Sequence, residues 1–270
     1  MENMSQMPRI RMLLLVVIAL LLACAPVFGQ ERGPYYVSIH RELPYGAASA
    51  GTLALGEVLR ARTPDVVLED LHLGRIPSFD RVATRNHSTS AIGASDGLAY
   101  TATALPLLLL VGDQPRSDMW KLGLLYAETM TLNLGITNII KATALRPRPY
   151  VYDDNLSPDT VIGGADRASF LSAHTSNSAA AGFFFARVFS DYYPESNLKP
   201  YVWILGAGLP VATGYLRIRA GQHYPSDVAA GYVLGAAIGY AVPALHRKPT
   251  KTSGLTCLPT GHGVYLVYRL

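Results

Sequence analysis

Charge is scarce in this 270-residue chain: Asp, Glu, Lys and Arg make up 16% of it, against roughly 25% in an average soluble domain. With so few charges and so many apolar residues, disorder and a heavily solvated surface are excluded. Cysteine is scarcer still. Two residues, Cys24 and Cys257, supply neither a disulfide framework nor a four-ligand structural zinc site, so stability rests on packing. The sequence also lacks a basic stripe. Its net charge of +4 is dispersed along the chain, and nucleic acid is set aside as a partner. No acidic cluster accompanies the polar motifs described below, so no catalytic metal and no cofactor are expected.

What is abundant is apolar, 50% of the residues. Arg9 and Arg11 precede an unbroken apolar run from Met12 to Ala23, and Ala25, Pro26 and Gly29 follow. That is the layout of a secretory signal. Residues 1–29 therefore read as a cleaved signal peptide, as a lipoprotein signal modified at Cys24, or as a retained anchor, although the apolar run is short of the roughly 20 residues a span needs. Each reading exports the rest of the chain, to a bacterial cell envelope: at a membrane with its site facing the periplasm, or in the periplasm after cleavage.

Residues 30–94 are mixed and polar, punctuated by Pro34, Pro44, Pro64 and Pro77, with one helix expected over 48–62. They form a lead-in or cap segment. Residues 95–245 carry five long apolar stretches, 98–111, 119–140, 175–189, 201–213 and 228–245, separated by short polar ones. An all-α bundle of about five to six helices follows, either embedded in a membrane or soluble. Gly231, Gly235 and Gly239 recur every fourth residue, a small face that lets helices approach closely. Glu128, within the second stretch, reads as a charge paired inside the bundle. Residues 246–270 form a basic tail whose last residues, 263–270, alternate like a strand.

Three polar clusters fall at the ends of these helices. In the first, Lys141 closes an apolar helix and Arg148-Pro149 follows after six residues. Pro147 and Pro149 forbid helix there and hold Arg146 and Arg148 extended, so a point charge and a planar fork can converge on phosphate oxygens. In the second, Ser172 precedes an apolar run as an N-cap, which aims backbone N–H groups and the helix dipole at an anion beside His174. The third is Arg217, five residues, His223, three residues, Asp227. Pro225 suits the first turn of the last helix, and Asp227, about 6 Å of helix rise beyond His223, can reach one imidazole nitrogen and leave the other free to attack.

The set Lys141-x6-Arg148-Pro149, Leu171-Ser172-Ala173-His174 and Arg217-x5-His223-x3-Asp227 resembles the tripartite signature of the type 2 phosphatidic acid phosphatase (PAP2) superfamily, which also holds bacterial acid phosphatases and vanadium haloperoxidases. Three positions depart from it: Leu171 and Ala173 stand where the signature has Pro and Gly, and Leu216 where it has Ser. If the Gly is left-handed in the family, Ala173 strains the loop. The resemblance implies a metal-independent phosphatase. Lys141, Arg148, Ser172 and Arg217 would bind the phosphate, His223 would form a phosphohistidine, Asp227 would orient it, and His174 would protonate the leaving group. The implied substrates are phosphorylated lipids, with small phosphoesters as a soluble alternative. Two other readings of the same residues are a vanadate-dependent haloperoxidase and a non-enzymatic envelope protein whose clusters merely cap helices.

Overall fold

The computed structural model describes residues 33–66, 71–153, 163–248, 254–260 and 263–269. The N-terminal run with Cys24 lies outside them. Among the described residues six long helices dominate: α1 (Ile39–Arg60), α2 (Thr89–Ala104), α3 (Met119–Ala144), α4 (Ala173–Tyr192), α5 (Lys199–Arg219) and α6 (Pro225–His246). A 3₁₀ segment, Leu105–Val111, prolongs α2, and an antiparallel hairpin, β1 (Gly254–Thr260) with β2 (Gly263–Arg269), follows α6. The expected all-α bundle is found, with the alternating C-terminal residues in β2.

Local chemistry sets the helix ends. Ser88 caps α2 by accepting from the N–H of Ala91, and Ser172 caps α4 by accepting from that of Thr175. Pro225 opens α6, where the missing N–H is harmless. Helix α3 stops at Leu145, whose φ of 48° is left-handed, and Pro147 and Pro149 keep the following chain extended. Ala173 is the first residue of α4 and does not have positive φ. Alanine therefore sits there without the strain expected of a glycine replacement.

Helix α4 is the axis of the bundle and is contacted by α2, α3, α5 and α6. Its Ala179, Ala180, Ala181 and Phe184 are fully buried. The small stripe on α6 explains the closest of these contacts. A Cβ on Gly235 would fall 2.0 Å from the carbonyl oxygen of Ser176, and one on Gly239 2.2 Å from that of Ala180. Glycine is thus required for the backbones to touch, and the spacing of four keeps the contact on one face.

Outside this core the bundle is apolar too. Tyr100 and Val111 on the α2 arm are 75% and 80% exposed, and Tyr201 and Ile204 on α5 are each 69% exposed. Among the described residues two segments, Thr89–Val111 and Pro225–His246, are long and apolar enough to cross a membrane. Meanwhile Ser95, Thr129, Asn133, Thr137 and Ser176 lie buried, with Asn133 bonded to Asn177 and Ser176. Polar inside and greasy outside is the distribution that a lipid surround favours.

Candidate active site

The three sequence clusters meet at one end of the bundle: the last turn of α3, the first turn of α4, and the α5–α6 connection. Loops between them are tied by backbone hydrogen bonds. Ser169 donates to the carbonyl of Arg146, Arg148 to that of Asp166, Tyr150 to that of Gly221, and Ser172 to that of Asp227. Gly221 has a φ of +68°, and a Cβ there would lie 2.1 Å from the carbonyl oxygen of Asn86. Both the left-handed turn and the close approach demand glycine, and the turn delivers Gln222 and His223 to the site.

His223 is the centre of the site. It is 1% exposed, and its Nδ1 lies 3.6 Å from Asp227 Oδ2, just beyond hydrogen-bond reach. Burial pushes its pKa well down, and Lys141, Arg148, Arg217 and His174 add to the shift in that order. The imidazole is neutral through the physiological range. Lys141 is likewise held well below the usual ammonium range, first by burial and then by Arg148; its Nζ donates to the carbonyl of Ala168 at 2.6 Å. Arg217 is lowered to about 10 by burial and by Arg148. These shifts record burial first and the mutual repulsion of neighbouring cations second.

Gln222 spaces two of the cations, its Oε1 accepting from Arg148 at 2.9 Å and from Arg217 at 3.5 Å. Ser172 is fully buried, and its Oγ accepts from both the N–H and the hydroxyl of Thr175. His174 Nε2 lies 3.0 Å from Asp96 Oδ1, and Arg217 donates to the same oxygen at 3.1 Å. All seven residues read from the sequence are thus gathered at one end of the bundle. His174 is lowered to about 4, by burial first and Arg217 second, with Asp96 opposing both.

Asp227 is held by groups that the sequence motifs do not contain. Its Oδ1 accepts from Arg146 at 2.6 Å, and its Oδ2 from Ser169 Oγ at 2.5 Å and from the N–H of Tyr224 at 3.0 Å. The other guanidinium nitrogen of Arg146 reaches Asp80 at 2.7 Å, and the guanidinium lies over the Tyr224 ring. Asp80 in turn accepts from the N–H and hydroxyl of Ser226. A cleft of about 640 Å³ adjoins this network, lined in part by Ile76, Phe79, Asp80, Arg146 and Tyr224. It contains none of the seven residues read from the sequence, which gather at the helix ends beside it.

Asp80, Asp96, Arg146, Ser169 and Gln222 are the site residues that motif reading missed. Arg146 carried a signal, since the prolines that fix Arg148 fix it too. The two aspartates had none, being 66 and 121 residues from the arginines they bind.

A helical bundle that buries a neutral imidazole among fixed cations is built to handle an oxyanion, and the class it defines is a phosphatase. The family model of the PAP2 superfamily matches residues 122–251, a segment that spans all three clusters. Among solved structures the chain is similar to a transmembrane PAP2-type phosphatidylglycerolphosphate phosphatase from Bacillus subtilis, with 19% sequence identity and a TM-score of 0.50. The similarity covers 74% of this chain and 96% of that one. No curated protein matches the chain.

Proposed function

We propose that the protein hydrolyses phosphorylated lipids at a membrane through a phosphohistidine, without a metal. The observation that carries this reading is the convergence of Lys141, Arg148 and Arg217 on a buried, neutral His223 at one end of a bundle whose outer faces are apolar. Phosphate oxygens are the ligand such a pocket suits: Nε of Arg217 is buried without a hydrogen-bond partner among the described residues, and an anion beside them would raise the lowered Lys141 and Arg217. The three cations and the start of α4 would neutralise charge on the equatorial oxygens in a dry site.

His223 Nε2 attacks phosphorus, because Nδ1 faces Asp227. The N–P bond forms as the P–O bond to the leaving group breaks, and the leaving alkoxide takes the proton of His174. Water then attacks the phosphohistidine, giving its proton to His174. The N–P bond breaks, phosphate departs, and both imidazoles return to their starting states. The site faces the periplasm if Arg9 and Arg11 stay in the cytoplasm, in keeping with the bias of basic residues to that side.

The test is phosphate release by the purified full-length chain in mixed micelles, in excess chelator, on phosphatidylglycerol phosphate, phosphatidic acid and a soluble aryl phosphate. Turnover unaffected by chelator is expected, with kcat/KM for a lipid phosphate at least about tenfold above that for the aryl ester, the margin that remote binding of the lipid body supplies. Turnover that needs added metal, or halide oxidation with vanadate in place of hydrolysis, overturns the reading.

Acid chemistry supplies a second check. His174 must carry a proton to serve the leaving group, and it is held at about 4 in the free protein, with Asp96 the group that raises it. The kcat/KM profile should therefore fall as pH rises above that range. In Asp96→Asn the opposing charge is gone, His174 drops further, and the falling limb moves to lower pH. A limb that stays in place or moves up in pH–rate measurements removes His174 from the role of acid.

A further inference from the structure

A second polar centre lies at the other end of the bundle, outside everything described so far. Glu42 on the first turn of α1, Glu128 within α3 and His246 on the last turn of α6 are 3%, 7% and 1% exposed. His246 Nε2 lies 3.1 Å from Glu42 Oε2 and 3.5 Å from Glu128 Oε2, and one donor atom from each of the three residues falls within 4.8 Å of the others. His246 stands 19 residues beyond Asp227 on α6, or about 28 Å of helix rise, so the trio is no part of the phosphate pocket.

Hydrogen-bond accounting shows what the trio lacks. His246 Nδ1 lies 2.7 Å from the carbonyl oxygen of Val242. A carbonyl only accepts, so Nδ1 carries the hydrogen, and in the neutral ring the Nε2 lone pair points at two carboxylates. A single hydrogen on Nε2 would serve Glu42 at 3.1 Å and leave Glu128 at 3.5 Å without a hydrogen bond from the ring. Oε1 of Glu42 and Oε1 of Glu128 are in addition buried with no hydrogen-bond partner. Arg41, the neighbouring cation on α1, donates to the carbonyl of Leu245. Tyr45 closes another side, its ring centroid 5.3 Å from that of His246.

We propose that Glu42, Glu128 and His246 bind a divalent first-row transition ion, with Zn²⁺ best suited, as a structural clamp in which a second carboxylate oxygen or a water makes the fourth ligand. Two carboxylates and a neutral imidazole balance a charge of two. With metal–ligand bonds of about 2.1 Å, tetrahedral ligands stand about 3.4 Å apart, and the observed 3.1 and 3.5 Å bracket that spacing. The bond from Nδ1–H to a backbone carbonyl is the outer support that metal-bound histidines almost always have. The ion would fasten the start of α1 to α3 and α6. The far end of α1 carries Arg60, which donates to Asn138 one turn before Lys141, so the clamp fixes the helix that backs the phosphate pocket.

The test uses the full-length chain purified without a histidine tag. After dialysis against chelator it is titrated with Co²⁺ and Zn²⁺ alone, and metal content, the visible Co²⁺ spectrum and Tm are recorded. About one equivalent per chain is expected, with a tetrahedral Co²⁺ spectrum, a Tm that falls on chelation and recovers with Zn²⁺, and unchanged turnover well below Tm. Glu42→Gln and Glu128→Gln should each weaken Co²⁺ binding by about 100-fold or more, since losing a mere outer partner already costs 10–100-fold. Wild type that binds no stoichiometric ion, or binds it as tightly as the doubly substituted chain, overturns the proposal. So does a Tm indifferent to chelator. Neither result touches the phosphatase reading, whose test is run in chelator.

Discussion

His223→Ala should lower phosphate release by about 10⁴-fold or more, the scale of loss when the nucleophile of a coupled catalytic set is removed. The argument rests on protonation as much as on position. An imidazole attacks only when unprotonated, and here burial and four neighbouring cationic or imidazole groups all push in the same direction. The same substitution should leave the fold intact, because His223 Nδ1 has no hydrogen-bond partner to lose. Tm by calorimetry and kcat on a soluble phosphate ester separate the two effects. In rapid-quench experiments with labelled substrate, the wild type should carry an acid-labile phosphoryl group that the variant lacks. Activity within about tenfold of wild type, from a protein of unchanged Tm, would falsify the nucleophile assignment.

Much of this site was legible because its parts are local. Lys141 to Arg148, Ser172 to His174 and Arg217 to Asp227 are each short segments whose prolines, caps and helix ends dictate where the side chains go. The five apolar stretches became helices for the same reason, yet their ends ran further than the apolar residues did. Helix α5 continues from Thr213 to Arg219 and so carries Arg217 on its last turn, since hydrogen bonding stops at a cap and not at a change of polarity. Helix α1 begins at Ile39, nine residues before the expected start, and passes through Pro44. Proline disfavours that locally; tertiary ties outweigh it, notably the Tyr36 N–H on the carbonyl of His246 and Glu42 against His246. What sequence could not show were pairings between distant segments. Asp80, Asp96, Glu42 and His246 look like ordinary helix-start or surface residues until the bundle closes, and Glu128 reads as a paired buried charge whose partners the sequence does not name.

Arg146→Ala should then destabilise the protein by about 3 kcal/mol, the lower end of the range for stripping one partner from a buried ion pair, because the Arg146 side chain is 22% exposed while Asp80 and Asp227 are 1% and 0% exposed. In a chain of this size that corresponds to a fall in Tm of about 6–12 °C. Lysine should restore only part of the loss. A point charge can sit against one carboxylate, whereas the guanidinium fork spans both. Turnover should fall further than stability alone requires, since Asp227 would keep Ser169 and the Tyr224 N–H yet lose the charge that holds it 3.6 Å from His223. The distinguishing readout is the Asp80→Asn, Arg146→Ala double variant. Removing the negative charge of Asp80 together with its cation should recover part of the stability while kcat stays low, because Asp227 still lacks its partner. Recovery of both would mean that Arg146 serves the fold alone and that Asp227 orients the imidazole without it.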